Sequence, residues 1–171
     1  MKKYTMIALF FLAGSLTAVA QTRCDIRANL YDEDPKGTNV RGGPGSTFAI
    51  IGVLPHENTD TVMITASRPP WVQIGEVDDE DGNIIFNKQG WVFASLLGMS
   101  ISWNPYDKLK KGNHNLYAEP NKKSRVLARL PVESGAQLVG CDGTWAKVSV
   151  GQKIGWIARD AQCTLTRTTC S

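Results

Sequence analysis

The chain has 171 residues, of which 42% are apolar, and its formal net charge is +3 at neutral pH. A chain of this length suits one ordinary domain or two small ones. The nearly balanced charge argues against a nucleic-acid-binding protein, because such a protein needs a dense basic face.

The first twenty residues are typical of a secretory signal peptide. Lys2 and Lys3 give a positive start, an apolar run covers residues 6–12, and Ala18–Ala20 supplies the small residues that a signal peptidase requires. The apolar run is shorter than the roughly 20 residues of a membrane-spanning helix. We therefore expect residues 1–20 to be removed, leaving a periplasmic or secreted chain without stable membrane insertion.

An internal repeat follows the predicted signal peptide. Asn39–Pro55 aligns with Asn115–Pro131 without a gap, and both segments end in Leu-Pro. Gly90-Trp91-Val92 later matches Gly155-Trp156-Ile157. The repeated segments are short, β-prone and bounded by Gly, Pro, Asn and Asp, which is typical of strands and turns. The first copy is longer, mostly within residues 76–87, and this excess predicts an extended hairpin because loops absorb insertions at little cost.

The repeat predicts an all-β fold of two tandem small β-barrels, which would leave few exposed sheet edges. The expected domains are residues 21–98 and 113–171, joined by a linker at residues 99–112. Trp103 and Tyr106 of this linker are candidates to pack between the barrels. On this interpretation, a cut near Lys110 should leave two pieces that each keep β structure.

The two halves differ in charge. Between Ala28 and Gly98 there are ten acidic and four basic residues, whereas between Asn113 and Cys163 there are four acidic and seven basic residues. This polarity could hold the halves together or present two different surfaces to partners.

Little in the sequence indicates catalysis or metal binding. His56 and His114 lie outside any catalytic motif, so we expect a binding protein and not an enzyme. The acidic run Asp78–Asp81 does not have the spacing of a calcium loop and is better explained as a solvated hairpin tip, with a cation-seeking surface as the alternative. No cofactor is expected.

Four cysteines in an exported chain indicate structural disulfides, because their spacing fits no zinc site. These cysteines are Cys24, Cys141, Cys163 and Cys170.

The motifs resemble those of the bacterial SH3 family. Residues 39–44, Asn-Val-Arg-Gly-Gly-Pro, are similar to the opening of the family's signature, and Ile50–Leu54 and Gly90–Val92 are similar to its later elements. Residues 32–38 resemble the family's first loop. The second copy is more divergent, since Tyr117 replaces the arginine, although Pro120 and Gly155-Trp156 are retained.

This resemblance implies SH3-like barrels that bind peptidoglycan or its peptide bridges in a groove beside the first loop. The implied ligand-binding residues of the first copy are Tyr31, Asp32, Asp34 and Trp71, and those of the second are Tyr117 and Trp145. Because the family also includes protein-binding members, a periplasmic adaptor or an inhibitor of another exported protein is the alternative.

The resemblance also implies a disulfide pairing. In SH3-like barrels the positions of Cys141 and Cys163 lie near each other, which predicts a Cys141–Cys163 bond and pairs Cys24 with Cys170 across the ends of the mature chain. Four cysteines allow two other arrangements. One joins Cys24 to Cys141 and Cys163 to Cys170, and the other joins Cys24 to Cys163 and Cys141 to Cys170.

Overall fold

The computed structural model describes residues 20–57, 59–102 and 113–164. The signal-peptide prediction for residues 1–19, the predicted packing of Trp103 and Tyr106, and Cys170 lie outside these residues. The described part is all-β, as predicted, and its fourteen strands form one sheet. The strands are β1 (Thr22–Leu30), β2 (Thr38–Arg41), β3 (Ile50–Leu54), β4 (Thr61–Arg68), β5 (Trp71–Asp78), β6 (Ile84–Phe86), β7 (Gly90–Phe93), β8 (Leu97–Ile101), β9 (Asn113–Tyr117), β10 (Val126–Pro131), β11 (Gly135–Asp142), β12 (Trp145–Val150), β13 (Lys153–Ile157) and β14 (Gln162–Cys163).

The same order of antiparallel pairing occurs in the two halves of the chain. In the first half, β2 pairs with β3 and β7, β5 with β7 and β4, and β4 with β1. In the second half, β9 pairs with β10 and β13, β12 with β13 and β11, and β11 with β8. Strand β6 is an addition to β5 in the first half. This addition confirms the extended hairpin that the longer first copy predicts.

Strand β8 belongs to both sets of pairings. It pairs with β1 through Gly98 and Asn29, and with β11 through Ser100 and Gly135. The short strand β14 also pairs with β8. Residues 99–101, which begin the predicted linker, are therefore strand, and Met99 and Ile101 are buried in it. Residues 103–112 of that linker lie outside the described part.

The repeated Gly-Trp dipeptide marks a close approach of two strands. A Cβ at Gly90 of β7 would lie 2.2 Å from a side-chain carbon of Val40 on β2. A Cβ at Gly155 of β13 would lie 2.7 Å from the side chain of Leu116 on β9. Val40 and Leu116 are themselves matched positions of the repeat. Only glycine lets these strands pack so closely, and this explains the dipeptide in both copies.

One continuous core joins the halves. The buried cluster includes Ile26 and Ile64 from the first half and Leu138 and Val148 from the second. Strand residues alternate between this core and solvent, which is the periodicity expected for sheets with one covered face. Met99 of the shared strand belongs to the same cluster.

A disulfide links the halves, and it is not the bond that the resemblance implies. Cys24 on β1 is bonded to Cys141 on β11, and their Cα atoms are 5.8 Å apart. The expected Cys141–Cys163 bond is therefore wrong, and so is the pairing of Cys24 with Cys170. The physical reason is that β1 runs beside the β11–β12 turn, where its Asp25 amide donates to the carbonyl oxygen of Gly143 at 2.8 Å. Cys163 is also disulfide-bonded and is not a free thiol.

An ion pair between side chains also joins the two halves at this junction. The Arg159 guanidinium lies 2.9 Å from the Asp25 carboxylate, which joins the second half to β1. Both side chains are well exposed, so the pair contributes little to stability. Within the described residues, no helix has the length and apolar character needed to cross a membrane.

Candidate functional site

Three strands of the second half place aromatic side chains on one outer surface. On β12, the buried Ala146 and Val148 point inward, and alternation turns Trp145 and Lys147 outward. On β13, Trp156 is half-buried between the buried Gly155 and Ile157. On β9, Tyr117 follows the buried Leu116 and is also half-buried. We call the surface formed by Tyr117, Trp145, Trp156 and Lys147 the aromatic face.

The side chains of the aromatic face contact one another. The rings of Tyr117 and Trp145 meet edge to face, with centroids 5.7 Å apart and planes at 85°. Lys147 Nζ lies 5.6 Å from the centre of the Trp156 ring, a cation–π contact. Asn115 donates from Nδ2 to the Tyr117 hydroxyl at 3.2 Å. An aromatic pair of this kind is worth about 0.5–1.5 kcal/mol beyond the area that it buries. These contacts hold the half-buried rings in place, so they form a preorganised platform.

An exposed ion pair joins the β9–β10 loop to the segment after β13. Lys122 donates to an Asp160 carboxylate oxygen at 2.8 Å. The hydrogen bond to Asp160 and the attraction of its charge raise the pKa of Lys122, so this side chain stays cationic. Because both groups are exposed, the pair contributes little stability.

The corresponding surface of the first half is built differently. Trp71, which aligns with Trp145, packs against Phe93, with ring centroids 5.5 Å apart. The position of Tyr117 is taken by Arg41, whose Nη1 donates to the carbonyl oxygen of Phe48 at 2.8 Å. Trp91, which aligns with Trp156, is only 6% exposed. At the three aligned positions the first half therefore has one partly exposed ring, Trp71, where the second half has three. The contact of Trp71 with Phe93 is nevertheless edge to face, like that of Tyr117 with Trp145, and Phe93 is 39% exposed.

The other predicted binding residues lie in the β1–β2 loop. Asp32 accepts hydrogen bonds from the Thr38 hydroxyl and, at 3.1 Å, from the Asp34 amide. Asp34 in turn accepts from the Lys36 amide at 2.9 Å. These carboxylates stabilise the turns of their own loop. Tyr31 lies at the start of this loop, on the junction with the second half.

The structure thus brings together only part of the predicted groove. Tyr117 and Trp145 are in contact. In the first half, Trp71 contacts Phe93, whereas Tyr31 shares a cleft with residues of the second half.

The acidic run forms a hairpin tip. Asp79 accepts hydrogen bonds from the side-chain amide of Asn83 at 3.0 Å and from the backbone amides of Asn83 and Asp81 at 2.8 and 2.9 Å. The hydrogen bond from the Asn83 side chain, followed by those from the backbone, lowers the pKa of Asp79. Its carboxylate is therefore used to close the turn between β5 and β6.

Neither histidine belongs to a metal-binding group among the described residues. His56 is exposed after β3. A ring nitrogen of His114, Nε2, lies 3.1 Å from the Ser102 carbonyl oxygen. Across residues 20–57, 59–102 and 113–164, no group of three or more His, Cys, Asp or Glu side chains is arranged to hold a metal ion.

The half of the chain that carries the aromatic face matches a known protein family. Residues 112–161 match the bacterial SH3 domain. All members of the aromatic face lie within this bacterial SH3 segment. The match falls on the copy with the more divergent signature, and a second SH3 copy in the first half stays a prediction.

A curated relative and two solved structures are also similar to the chain. The chain is 25% identical over 128 residues to "Putative N-acetylmuramoyl-L-alanine amidase YrvJ" of Bacillus subtilis (strain 168), which is 71% of this chain but 23% of that protein. The structures of NlpC1 and NlpC2 from Trichomonas vaginalis are 17% and 16% identical, and the alignments cover 91% and 85% of this chain and 50% and 48% of theirs. Both TM-scores are 0.31, which does not establish a shared fold.

Sequence reasoning missed two members of the aromatic face. Neither Trp156 nor Lys147 is among the ligand-binding residues that the resemblance implies. Alternation with Gly155 and Ile157 places the Trp156 ring on the outer side of the sheet. The same pattern surrounds Trp91 in the first copy, which is only 6% exposed, so the sequence does not distinguish the two rings.

Proposed function

We propose that the chain is an exported, non-catalytic protein that binds peptidoglycan or cell-wall peptide through the aromatic face of its bacterial SH3 segment. The observation that supports this most directly is the preorganised set of half-buried rings, with Tyr117 and Trp145 in edge-to-face contact. Half-buried aromatic residues supply apolar contact area at small entropic cost, and they are enriched at binding hot spots.

The similarity to a protein named as an amidase of N-acetylmuramoyl-L-alanine agrees with a cell-wall ligand. Because the match spans less than a quarter of that protein, we assign this chain the binding role and not the enzymatic one. In our proposal the first half is also an SH3 unit, which the repeated order of strand pairing supports.

Co-sedimentation with purified sacculi tests the proposal. The mature chain should pellet with sacculi, and Trp145→Ala should weaken binding about tenfold, the effect expected when a binding residue worth about 1.4 kcal/mol is removed. Trp71→Ala tests the first half in the same way, since Trp71 occupies the same repeat position there and is also an implied ligand-binding residue. A wild-type chain that stays in the supernatant would refute the function, and equal effects of the two variants would refute the site.

An exposed apolar edge favours a second candidate, a protein-binding adaptor or inhibitor. Edge strand β3 exposes Ile50, Ile51 and Val53, and the neighbouring hairpin exposes Ile84 and Ile85. The same hairpin carries the acidic tip, so its complementary partner is an extended segment with basic and apolar residues, added as a further strand. Pull-down from periplasmic extract should then recover one stoichiometric partner, and Val53→Lys should abolish its recovery. Failure to recover any such partner would refute this candidate.

A further inference from the structure

A cleft between the two halves has a volume of about 410 Å³. It is lined by Tyr31, Ser95, Gly135, Ala136, Gln137, Ser149 and Gly151. The volume falls within the range of small-molecule sites, about 300–1,000 Å³. The residues that line the cleft come from the start of the β1–β2 loop, the segment between β7 and β8, the start of β11, and the end of β12 with the turn after it. None of these lining residues belongs to the aromatic face, although Ser149 lies on β12 two residues after Lys147.

Tyr31 provides an exposed aromatic platform in this cleft. The residue is 55% exposed. The Tyr31 amide donates to the Leu96 carbonyl oxygen at 2.8 Å, which fixes the residue against the first half. A Cβ at Gly98 would lie 2.8 Å from a ring carbon, so the bare backbone of β8 supports one edge of the ring. The platform is therefore held in place although most of its surface is open.

The rest of the cleft offers neutral polar groups and accessible backbone. Gln137 donates from Nε2 to the Ser95 carbonyl oxygen at 2.8 Å, which fixes its amide across the junction. Ser149 adds a hydroxyl. Apart from the adjoining residues of the chain, no atom of the described residues lies within 4 Å of the place that a Cβ would occupy at Gly135 or Gly151, so a ligand can approach the main chain there.

The chemistry of this lining selects for a neutral ligand. Among the described residues that line the cleft, none has a side chain that is charged at neutral pH. Peptides of the cell wall, in contrast, carry carboxylates and amines that call for charged partners. An aromatic ring beside hydroxyl and amide groups suits a sugar, whose apolar C–H face stacks on the ring and whose hydroxyl and acetamido groups form hydrogen bonds at the rim.

We propose that this junction cleft binds a neutral N-acetylated oligosaccharide. The inference deepens the proposed function and rests on it, because it assigns the sugar part of the same polymer to the cleft and leaves the peptide part to the aromatic face. The ligand would contact both halves at once.

Calorimetric titration of the mature chain with triacetylchitotriose and, separately, with a free stem peptide tests the proposal. Triacetylchitotriose should bind, and Tyr31→Ala should weaken that binding about tenfold, whereas Tyr31→Phe should retain most of it. Phe48→Ala is the matched control, because Phe48 is also an exposed aromatic residue, at 48%, but lies outside the cleft. Gly135→Leu should block the sugar without a collision in the fold, since the space beside Gly135 is open.

The two ligands separate failure of this inference from failure of the proposed function. If the stem peptide binds and responds to Trp145→Ala but the sugar does not bind, the cleft assignment is overturned and the aromatic face stands. Sugar binding that Trp145→Ala abolishes and Tyr31→Ala leaves unchanged would also overturn the cleft. Sugar binding lost in Tyr31→Ala and in Gly135→Leu, with an unchanged thermal unfolding midpoint, would support it.

Discussion

Removal of the Cys24–Cys141 bond should lower the free energy of unfolding by several kilocalories per mole. The bond joins residues 117 positions apart in the sequence. The chain-entropy model gives about 4.9 kcal/mol for a loop of that length. The folded state should change little, because the amide of Gly143 also donates to the Arg23 carbonyl oxygen at 2.8 Å and keeps β1 beside the β11–β12 turn. The stability is therefore lost through a less constrained unfolded state.

Urea unfolding of Cys24→Ala/Cys141→Ala under non-reducing conditions measures this loss. We expect a lower midpoint and a larger m-value, because the chain without the bond unfolds to a more expanded state. Cys24→Ala alone is the matched control and should lose nearly as much, since either change removes the bond. A loss below about 1 kcal/mol with an unchanged m-value would refute the entropic argument. A non-reducing peptide map should join the Cys24 peptide to the Cys141 peptide, and a Cys141–Cys163 fragment would contradict the structure.

Two further predictions concern the hairpin tip and the Gly-Trp dipeptide. Since hydrogen bonds from Asn83 hold the pKa of Asp79 below 3.8, the ionised carboxylate stabilises the tip above that pH, and this contribution should disappear as the pH falls through the folded-state pKa. The Gly82 amide resonance should report the change, and Asp79→Asn should remove its pH dependence. Gly155→Ala should cost about 1–3 kcal/mol through overpacking, because its Cβ would lie 2.7 Å from the Tyr117 carbonyl oxygen. Gly135→Ala, where the space is open, should be nearly neutral by thermal unfolding, and equal losses would refute this explanation.

The all-β class and the repeat were predictable because their signals are local. Alternation, turn residues and the Gly-Trp dipeptide are each set within a few residues. The disulfide pairing was not predictable, because it depends on where β1 lies relative to the β11–β12 turn, and the resemblance describes a single barrel without a neighbour. The place of Tyr31 was not predictable for the same reason, since its cleft includes residues 135–137, Ser149 and Gly151 of the other half.

Because both halves pair with strand β8, truncation of the chain should have a different result from the one that the repeat predicts. The repeat predicts that a cut near Lys110 leaves two pieces that each keep β structure. In the structure, however, β11 pairs with β8 through three residue pairs, and β14 pairs with the same strand. A piece that begins at residue 111 lacks β8 and therefore exposes the edge of β11 and its buried Leu138.

We therefore expect the piece of residues 111–171 to be unfolded and the piece of residues 97–171 to fold. The difference between them includes the buried side chains of Leu97, Met99 and Ile101. Each is worth about 1.5–3 kcal/mol, so together they approach the whole stability of a small domain, about 5–15 kcal/mol. Circular dichroism and amide NMR spectra of the two pieces would decide the question. Dispersed amide signals from residues 111–171 alone would show that the second half needs no strand from the first, and that β8 links two independent domains.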